Sequence, residues 1–246
     1  MSLVKVTAVD DRVKKTEANK PDPTSVRLVN AAPIHFTVGA NDQLKAFLDN
    51  VVAKVGQDKI GMLSIYAHSI NDFDMTSDQR SRSDLKYNAG YGVKFCKQDI
   101  CLDTVEQFGI LKPLFAPGSM IELVCCALVT KSPDYVGSIT GRHYRGDGIA
   151  LCKQLANVTG ARVRAARNPQ DYRSDKNYDA KNGVQSIDFG EWEGPVFVFE
   201  PGGGINRDLA TEKRNDADRE KEHSRRRRNR IIRLGLFGPI ELFLGD

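Results

Sequence analysis

The chain lacks any long hydrophobic run. Nowhere in its 246 residues do about 18 apolar side chains follow one another, which is roughly the minimum for a transmembrane helix. The first twelve residues, MSLVKVTAVDDR, also lack the apolar core of a cleaved signal peptide. We therefore predict a chain with no membrane span that is cytoplasmic, or exported without a cleavable signal peptide.

Cysteine is scarce and unsuited to a disulfide framework. The chain has five cysteines, an odd number, and two of them are adjacent, so we expect reduced thiols. Cys96, Cys101, Cys125 and Cys126 also lack the paired CxxC spacing typical of a structural zinc site. We predict no metal.

The Gly-rich stretch GSITGRHYRGDG, residues 137–148, does not have the spacing of a phosphate-binding loop. It lies between a predicted strand and a predicted helix, but the order G-x4-G-K-[ST] is missing. Nucleotide binding is thus disfavoured, and no cofactor is predicted.

Positive charge is concentrated near the C-terminus. Residues 207–230 contain ten basic and six acidic side chains, a surplus of four that equals the net charge of +4 of the whole chain. A solvated, highly charged segment is the favoured interpretation, and nucleic-acid binding through Arg225–Arg228 is the weaker alternative. Residues 231–246 are too apolar to leave in water, so we expect them to dock on the chain's own domain, a second copy or a larger partner.

Helical and strand-like patterns alternate along the middle of the chain. Residues 44–55 and 148–158 have apolar side chains at helical spacing, and each segment is followed by glycine within a few residues. Short apolar runs such as 60–67, 120–124 and 161–166 indicate buried strands. The pattern predicts an α/β protein, a three-layer α/β sandwich with a mostly parallel central sheet and helices on both faces.

Composition divides the chain into four parts. Polar residues and Pro21 and Pro23 predict a loose N-terminal arm that supplies an edge strand near residues 3–9. Hairpins are expected over 91–102 and 188–200, and the glycines at 202–204 mark the end of the domain. The predicted parts are an N-terminal arm (1–25), an α/β domain (26–200), a Gly-rich and charged linker or helix (201–230) and an apolar C-terminal docking segment (231–246).

Two of the predicted strands end at residues with catalytic chemistry. The run IGMLSIYA leads to His68, and MIELV leads to Cys125 and Cys126. Because ligands bind beyond the carboxyl ends of strands in open α/β sheets, we expect the imidazole and the thiol to face one another. An imidazole stabilises a thiolate and later protonates a leaving amine, the requirements of acyl transfer.

The order of these segments resembles the caspase-like superfamily of cysteine peptidases. It is most similar to bacterial caspase-like domains of surface proteins and to CHAT-type domains, over roughly residues 40–200. The segments that carry the resemblance are the strand ending in histidine, PGSMIELVCCA (117–127), GIALCKQLA (148–156), TGARV (159–163) and GEW (190–192).

The resemblance implies a role for specific residues. His68 matches the general base and Cys126 the nucleophile, and Ser69 stands where the family has a glycine that provides an oxyanion N–H. The sequence Cys126-Ala127-Leu128 does not match the caspase Cys-Arg-Gly segment, so a preference for aspartate is not implied. Independently of the resemblance, Asn71, Asp72 and Asp74 are further candidates for orienting His68, and no spacing rule selects one of them.

The Gly-rich loop would border the substrate cleft of such a fold. Arg142, His143, Arg145 and Asp147 are therefore the candidate substrate-binding residues.

We predict a caspase-like cysteine endopeptidase that cleaves peptide bonds of a polypeptide substrate with a His68/Cys126 dyad. One alternative is a catalytically inactive caspase-like module for interaction or assembly, which self-associates through the apolar C-terminal segment. The simplest alternative treats Cys126 as a small core residue and His68 as a strand-end histidine bonded to a backbone carbonyl.

Overall fold

A seven-stranded sheet forms the centre of the molecule. The structure, a computed structural model, describes residues 2–14, 23, 25–70, 88–136, 142–168, 170, 173–179, 183–190, 192 and 194–210. From edge to edge the strands are β3 (Ile34–Val38), β1 (Leu3–Asp10), β4 (Lys59–Tyr66), β7 (Phe115–Val124), β10 (Arg162–Ala166), β13 (Val196–Phe199) and β14 (Ile205–Arg207).

The smaller elements surround this sheet. The described residues form two α-helices, α1 (Leu44–Val55) and α2 (Gly148–Thr159), with a 3-10 turn (Asp11–Val13) and a 3-10 helix (Val105–Leu114). The remaining strands are β2 (Ser25–Leu28), β5 (His68–Ser69), β6 (Val93–Lys94), β8 (Tyr135–Val136), β9 (His143–Tyr144), β11 (Arg173–Asp179) and β12 (Val184–Asp188).

The central sheet is mostly parallel, as the sequence predicts. The five strands from β3 to β10 run parallel to their neighbours, and only β13 and β14 are added in antiparallel fashion. Parallel neighbours need crossover connections, and α1, the 3-10 helix at 105–114 and α2 supply the three that lead into β4, β7 and β10. The predicted α/β class is confirmed.

The direction of these crossovers decides where the helices lie. The steps from β3 to β4, from β4 to β7 and from β7 to β10 all run the same way across the sheet, so right-handed crossovers place their helices on one face. Both α-helices and the longer 3-10 helix pack there in one apolar core with Leu63, Ile65 and Ile121.

A small sheet lies against the opposite face. The step from β1 to β3 runs in the other direction, and β2 from that connection joins β12 and β11 in a three-stranded sheet. Val9 and Tyr66 of the central sheet pack against Val26, Leu28 and Ile187 of the small sheet. A second helical layer on this face stays a prediction.

Three local expectations from the sequence are wrong. Leu3–Asp10 is not an edge strand of a loose arm, because β1 lies between β3 and β4 and is buried from Val6 onward. The expected hairpin over 188–200 is absent, because β12 joins the small sheet whereas β13 pairs with β10. The glycines at 202–204 do not end the fold, since they form a turn that returns the chain as β14.

Among the described residues, no helix combines the length and the apolarity needed to cross a membrane. The predictions for the Arg-rich run at 225–228 and for the apolar segment 231–246 lie outside the described residues.

Candidate functional site

The candidate site lies at the carboxyl ends of three adjacent strands. The chain leaves β1 toward one edge of the sheet and leaves β4 toward the other, so a topological switch point lies between these two strands. Crevices form at such points because the two connections run to opposite faces. Any ligand cleft of this sheet is therefore expected where Arg12 follows β1 and His68 follows β4.

His68 and Cys126 follow neighbouring parallel strands at the same level. Tyr66 pairs with Val124 in the β4–β7 ladder, and the Ala67 N–H donates to the Val124 carbonyl at 3.2 Å. His68 and Cys126 each come two residues after this last matched pair. Tertiary structure thus brings to one sheet edge two residues that are 58 positions apart in the sequence.

A backbone carbonyl fixes the protonation pattern of His68. The Nε2 atom lies 3.1 Å from the carbonyl oxygen of Arg12, across the switch point. Because a carbonyl only accepts, Nε2 carries the proton, and in the neutral ring Nδ1 is then the basic nitrogen. Burial lowers the pKa of His68 below its ordinary value, and the bond to Arg12 offsets part of this effect. At neutral pH the ring is thus a neutral base.

Cys126 differs from the other four cysteines in its exposure. Cys96, Cys101, Cys125 and Cys152 are buried, whereas Cys126 is partly exposed. Burial raises the pKa of Cys96 to about 12 and raises the pKa of the Cys125 thiol well above its ordinary value. Since the thiolate is the reactive form, Cys126 is the best-placed nucleophile of the five.

The backbone around Cys126 is unusual. Its Sγ–H donates to the Gln170 carbonyl at 3.4 Å, and the following residue, Ala127, has a left-handed backbone with φ of 46°. A hydrogen bond from the Ala127 N–H to the Asn168 carbonyl at 2.9 Å holds this conformation. Strained residues of this kind concentrate at functional sites, where they set the direction of a neighbouring side chain.

We expect the N–H of Ser69 on the β7 side of the chain, from the direction of its neighbours. Ala67 donates to β7, whereas Ile70 donates to the Gly92 carbonyl next to β6 at 2.9 Å. N–H groups alternate in direction along an extended chain, so Ser69 shares the direction of Ala67. Ser69 itself is only 2 % exposed, and Asn71, Asp72 and Asp74 lie outside the described residues.

The four candidate substrate-binding residues all contact other residues of the chain. Arg142 donates to the Gln98 carbonyl at 2.7 Å and to Asp99 at 3.1 Å. Arg145 pairs with Asp103 at 2.9 Å, and His143 lies 3.8 Å from a carboxylate oxygen of Asp134.

Asp147 has two structural contacts. Its carboxylate accepts the N–H of Ala150 at 2.9 Å and so caps α2, and its other oxygen lies 3.0 Å from the Lys131 ammonium. Asp147 and Lys131 line a groove of about 400 Å³ together with residues 132–134 and 146.

Asp147→Ala is expected to lower the free energy of unfolding by about 1 kcal/mol, because α2 loses its N-cap. Asp147→Asn keeps an oxygen for the Ala150 N–H and should cost less. Urea denaturation of the two variants measures the difference. A fully stable Asp147→Ala variant that loses only substrate affinity would instead assign Asp147 to the cleft.

Sequence reasoning missed three residues at the site: Asp10, Arg12 and Gln170. Arg12 and Gln170 contact His68 and Cys126 through backbone carbonyls, which every residue type has, so residue type gives no signal for these two contacts. Asp10 does give a sequence signal, a carboxylate directly after an alternating apolar strand, but the signal is lost when this strand is assigned to a loose N-terminal arm.

Within the part of the chain that the structure describes, no three His, Cys, Asp or Glu side chains are grouped in a way that would hold a metal ion. A scan against models of protein families, a search of curated proteins and a search of solved structures each find no match for this chain.

Proposed function

We propose that this chain is a caspase-like cysteine peptidase in which His68 is the general base and Cys126 the nucleophile. The observation that carries the proposal is the register of β4 and β7, whose last matched pair, Tyr66 and Val124, brings His68 and the partly exposed Cys126 to the same level of the sheet. The contact of His68 Nε2 with the Arg12 carbonyl, at 3.1 Å, leaves Nδ1 as the basic nitrogen, although a strand-end histidine without a catalytic role would make the same contact. The three-layer sandwich with a second helical layer belongs to the same proposal.

The arrangement supports a two-step acyl transfer. The Cys126 sulfur attacks the peptide carbonyl carbon while its proton passes to His68 Nδ1. The C–N bond then breaks, and Nδ1 returns the proton to the leaving amine, which leaves a thioester on Cys126. Water adds to the thioester with His68 as base, and the C–S bond breaks to release the carboxylate and restore the thiol.

Backbone donors are expected to stabilise the tetrahedral oxyanion. The N–H of Ser69 faces the side of β7 by the alternation of the strand, and the N–H of Cys126 belongs to the nucleophile itself. Ser69 stands at the position of the glycine in the resembled family and is only 2 % exposed. Substrate must therefore displace the residues that bury Ser69 before its N–H can donate to the oxyanion.

One observation favours the inactive interaction module as a second candidate. The thiol donates to the Gln170 carbonyl, a contact that keeps the proton on sulfur. In a peptidase, this hydrogen bond to Gln170 would be lost when Sγ turns toward His68. In an inactive module, the same hydrogen bond simply gives a partly exposed thiol a permanent acceptor.

Alkylation by iodoacetamide separates the two candidates without knowledge of the substrate. A dyad predicts that Cys126 is labelled first and that its rate near pH 6.5 falls about tenfold or more in His68→Ala, because an ordinary thiol with pKa about 8.5 is protonated there. His35→Ala, an exposed histidine on β3, is the matched control and should leave the rate unchanged.

Mass spectrometry of peptides identifies the labelled sulfur. An inactive module predicts a single titration near the ordinary thiol pKa and no effect of His68→Ala. That result, or equal labelling of a buried cysteine such as Cys152, would exclude an activated dyad.

A further inference from the structure

A completely buried carboxylate stands at the end of β1, next to the carbonyl that contacts His68. Asp10 is 0 % exposed. Arg12 holds it through two side-chain bonds, Nε to Oδ1 and Nη2 to Oδ2, both at 2.7 Å. Oδ1 also accepts the Arg12 N–H at 3.0 Å, and Oδ2 accepts the Cys96 N–H at 3.2 Å. Each carboxylate oxygen therefore accepts two hydrogen bonds. A buried charge requires such partners, because it has lost its hydration.

The same ion pair ties the Arg12 peptide to a second part of the chain. Arg12 Nη2 donates to the Cys96 carbonyl at 3.0 Å, so the N–H and the C=O of Cys96 are both engaged. Cys96 itself is buried and has a left-handed backbone with φ of 54°. On the far side of Arg12, Val13 is 1 % exposed and packs in the core of the small sheet.

Stability alone is a weak reason for this ion pair. Buried ion pairs cost desolvation, and replacing them by apolar side chains is often neutral or favourable for folding. Here the pair holds a three-residue 3-10 turn in one position, and the carbonyl of that turn contacts the imidazole of His68.

We propose that Asp10 and Arg12 are positioning residues, whose buried ion pair fixes the Arg12 carbonyl and thereby the orientation of His68. The inference rests on the proposed function, in which His68 is the base. Neither side chain touches the substrate. Their contribution is to hold the ring in one orientation, since small displacements of a catalytic base are costly in rate.

Several charges face the imidazole and must be considered in any test. Lys94 lies directly opposite His68 in the β5–β6 pair, and Asp10 and Arg12 follow β1. Burial is the largest cause that lowers the pKa of His68 and the two cations lower it further, whereas the bond to the Arg12 carbonyl and Asp10 raise it. The thiol of Cys126 stands at the end of the neighbouring strand.

Asp10→Asn tests the positioning role, because it keeps the shape and removes the charge. Both the loss of the negative charge and a loosened Arg12 carbonyl lower the pKa of His68, by about half a pH unit or more. The acid limb of kcat/KM against pH should shift to lower pH by the same amount. We expect kcat to fall about 10- to 100-fold while KM changes little.

Glu122→Gln is the matched control. It breaks another partly buried ion pair of the same sheet, with Arg164 at 3.0 Å, and should lower stability without moving the pKa of His68. Arg12→Lys is the second variant. It keeps the positive charge and the carbonyl but loses the forked contact, so kcat should fall with a smaller change in the pKa of His68.

The ring signals of His68, assigned by their loss in His68→Ala, report its pKa in an NMR titration of the full chain. An unchanged His68 pKa, pH profile and kcat in Asp10→Asn would overturn the positioning role and leave the dyad standing. If wild type cleaves no peptide, the proposed function fails, while the titration still decides whether Asp10 sets the state of the ring. If Asp10→Asn does not fold, the kcat and the His68 pKa of Arg12→Lys test the positioning role instead.

Discussion

Replacing Cys126 by alanine should reduce peptide cleavage at least about a thousandfold, because it removes the thiol that forms the acyl intermediate. The other four cysteines are buried and cannot take its place. His68→Ala should cost about 10²- to 10⁴-fold in kcat through the loss of the base, with little change in KM. Steady-state cleavage of a peptide library by each variant measures these effects.

The losses of activity caused by Cys126→Ala and by His68→Ala should not be additive. A base without a nucleophile has nothing to activate, so His68→Ala in the Cys126→Ala background is expected to remove little further activity. Cys152→Ala serves as the control thiol, since Cys152 is fully buried in α2 and packs in the core of the helical face. Its substitution should lower stability while kcat per folded molecule is retained. Full cleavage by Cys126→Ala would rule out the proposed mechanism.

Gly148→Ala should destabilise the fold by about 3 kcal/mol or more, because its new methyl group would meet backbone rather than flexible side chains. A Cβ at this position lies 1.9 Å from the Leu128 carbonyl oxygen and 3.0 Å from the Cα of Gly90. Gly148 also donates its N–H to the Thr130 carbonyl at 3.1 Å, so the close approach is part of a hydrogen-bonded contact. Urea denaturation followed by circular dichroism measures the loss.

Activity should fall together with stability in this variant. Leu128 comes two residues after Cys126, and a shift of its carbonyl would displace the turn that holds the nucleophile. Gly109→Ala is the matched control, since its nearest neighbour, the Val158 carbonyl oxygen, is 3.9 Å away. That variant should stay within about 0.5 kcal/mol of wild type. Equal stability of the two variants would show that the Leu128 and Gly90 backbones can move away from residue 148 with little loss of folding free energy.

The glycines at the start of α2 illustrate how a sequence pattern can be explained by packing. The stretch that superficially resembles a phosphate loop includes Gly146 and Gly148, and a Cβ at either would lie within 2.2 Å of a backbone carbonyl oxygen. Close backbone contact thus accounts for glycine at both positions. The neighbouring Arg142 and Arg145, predicted to bind substrate, are paired with Asp99 and Asp103. These acids are more than 40 residues distant in the sequence, so no local pattern indicates the pairing.

Local sequence was sufficient to predict the helices and strands whose formation depends on residues close by in the chain. The spacing of apolar residues and the closing glycines at 56 and 160 predicted α1 and α2 nearly to the residue, because helix formation and termination are decided within a few residues. The apolar runs predicted β4 and β7 and placed His68 and Cys126 just after them.

The sequence by itself therefore determined the α/β class, the helices and the two strand ends on which the dyad hypothesis depends. Tertiary structure alone decided that β1 lies inside the sheet, that the described helices share one face, and that the Arg12 carbonyl meets the ring of His68. The physical reason is that strand order and crossover direction join segments far apart in the chain, and that a backbone carbonyl has no residue-specific signal. Asp10 and Arg12 became visible as part of the site only once β1 had its neighbours.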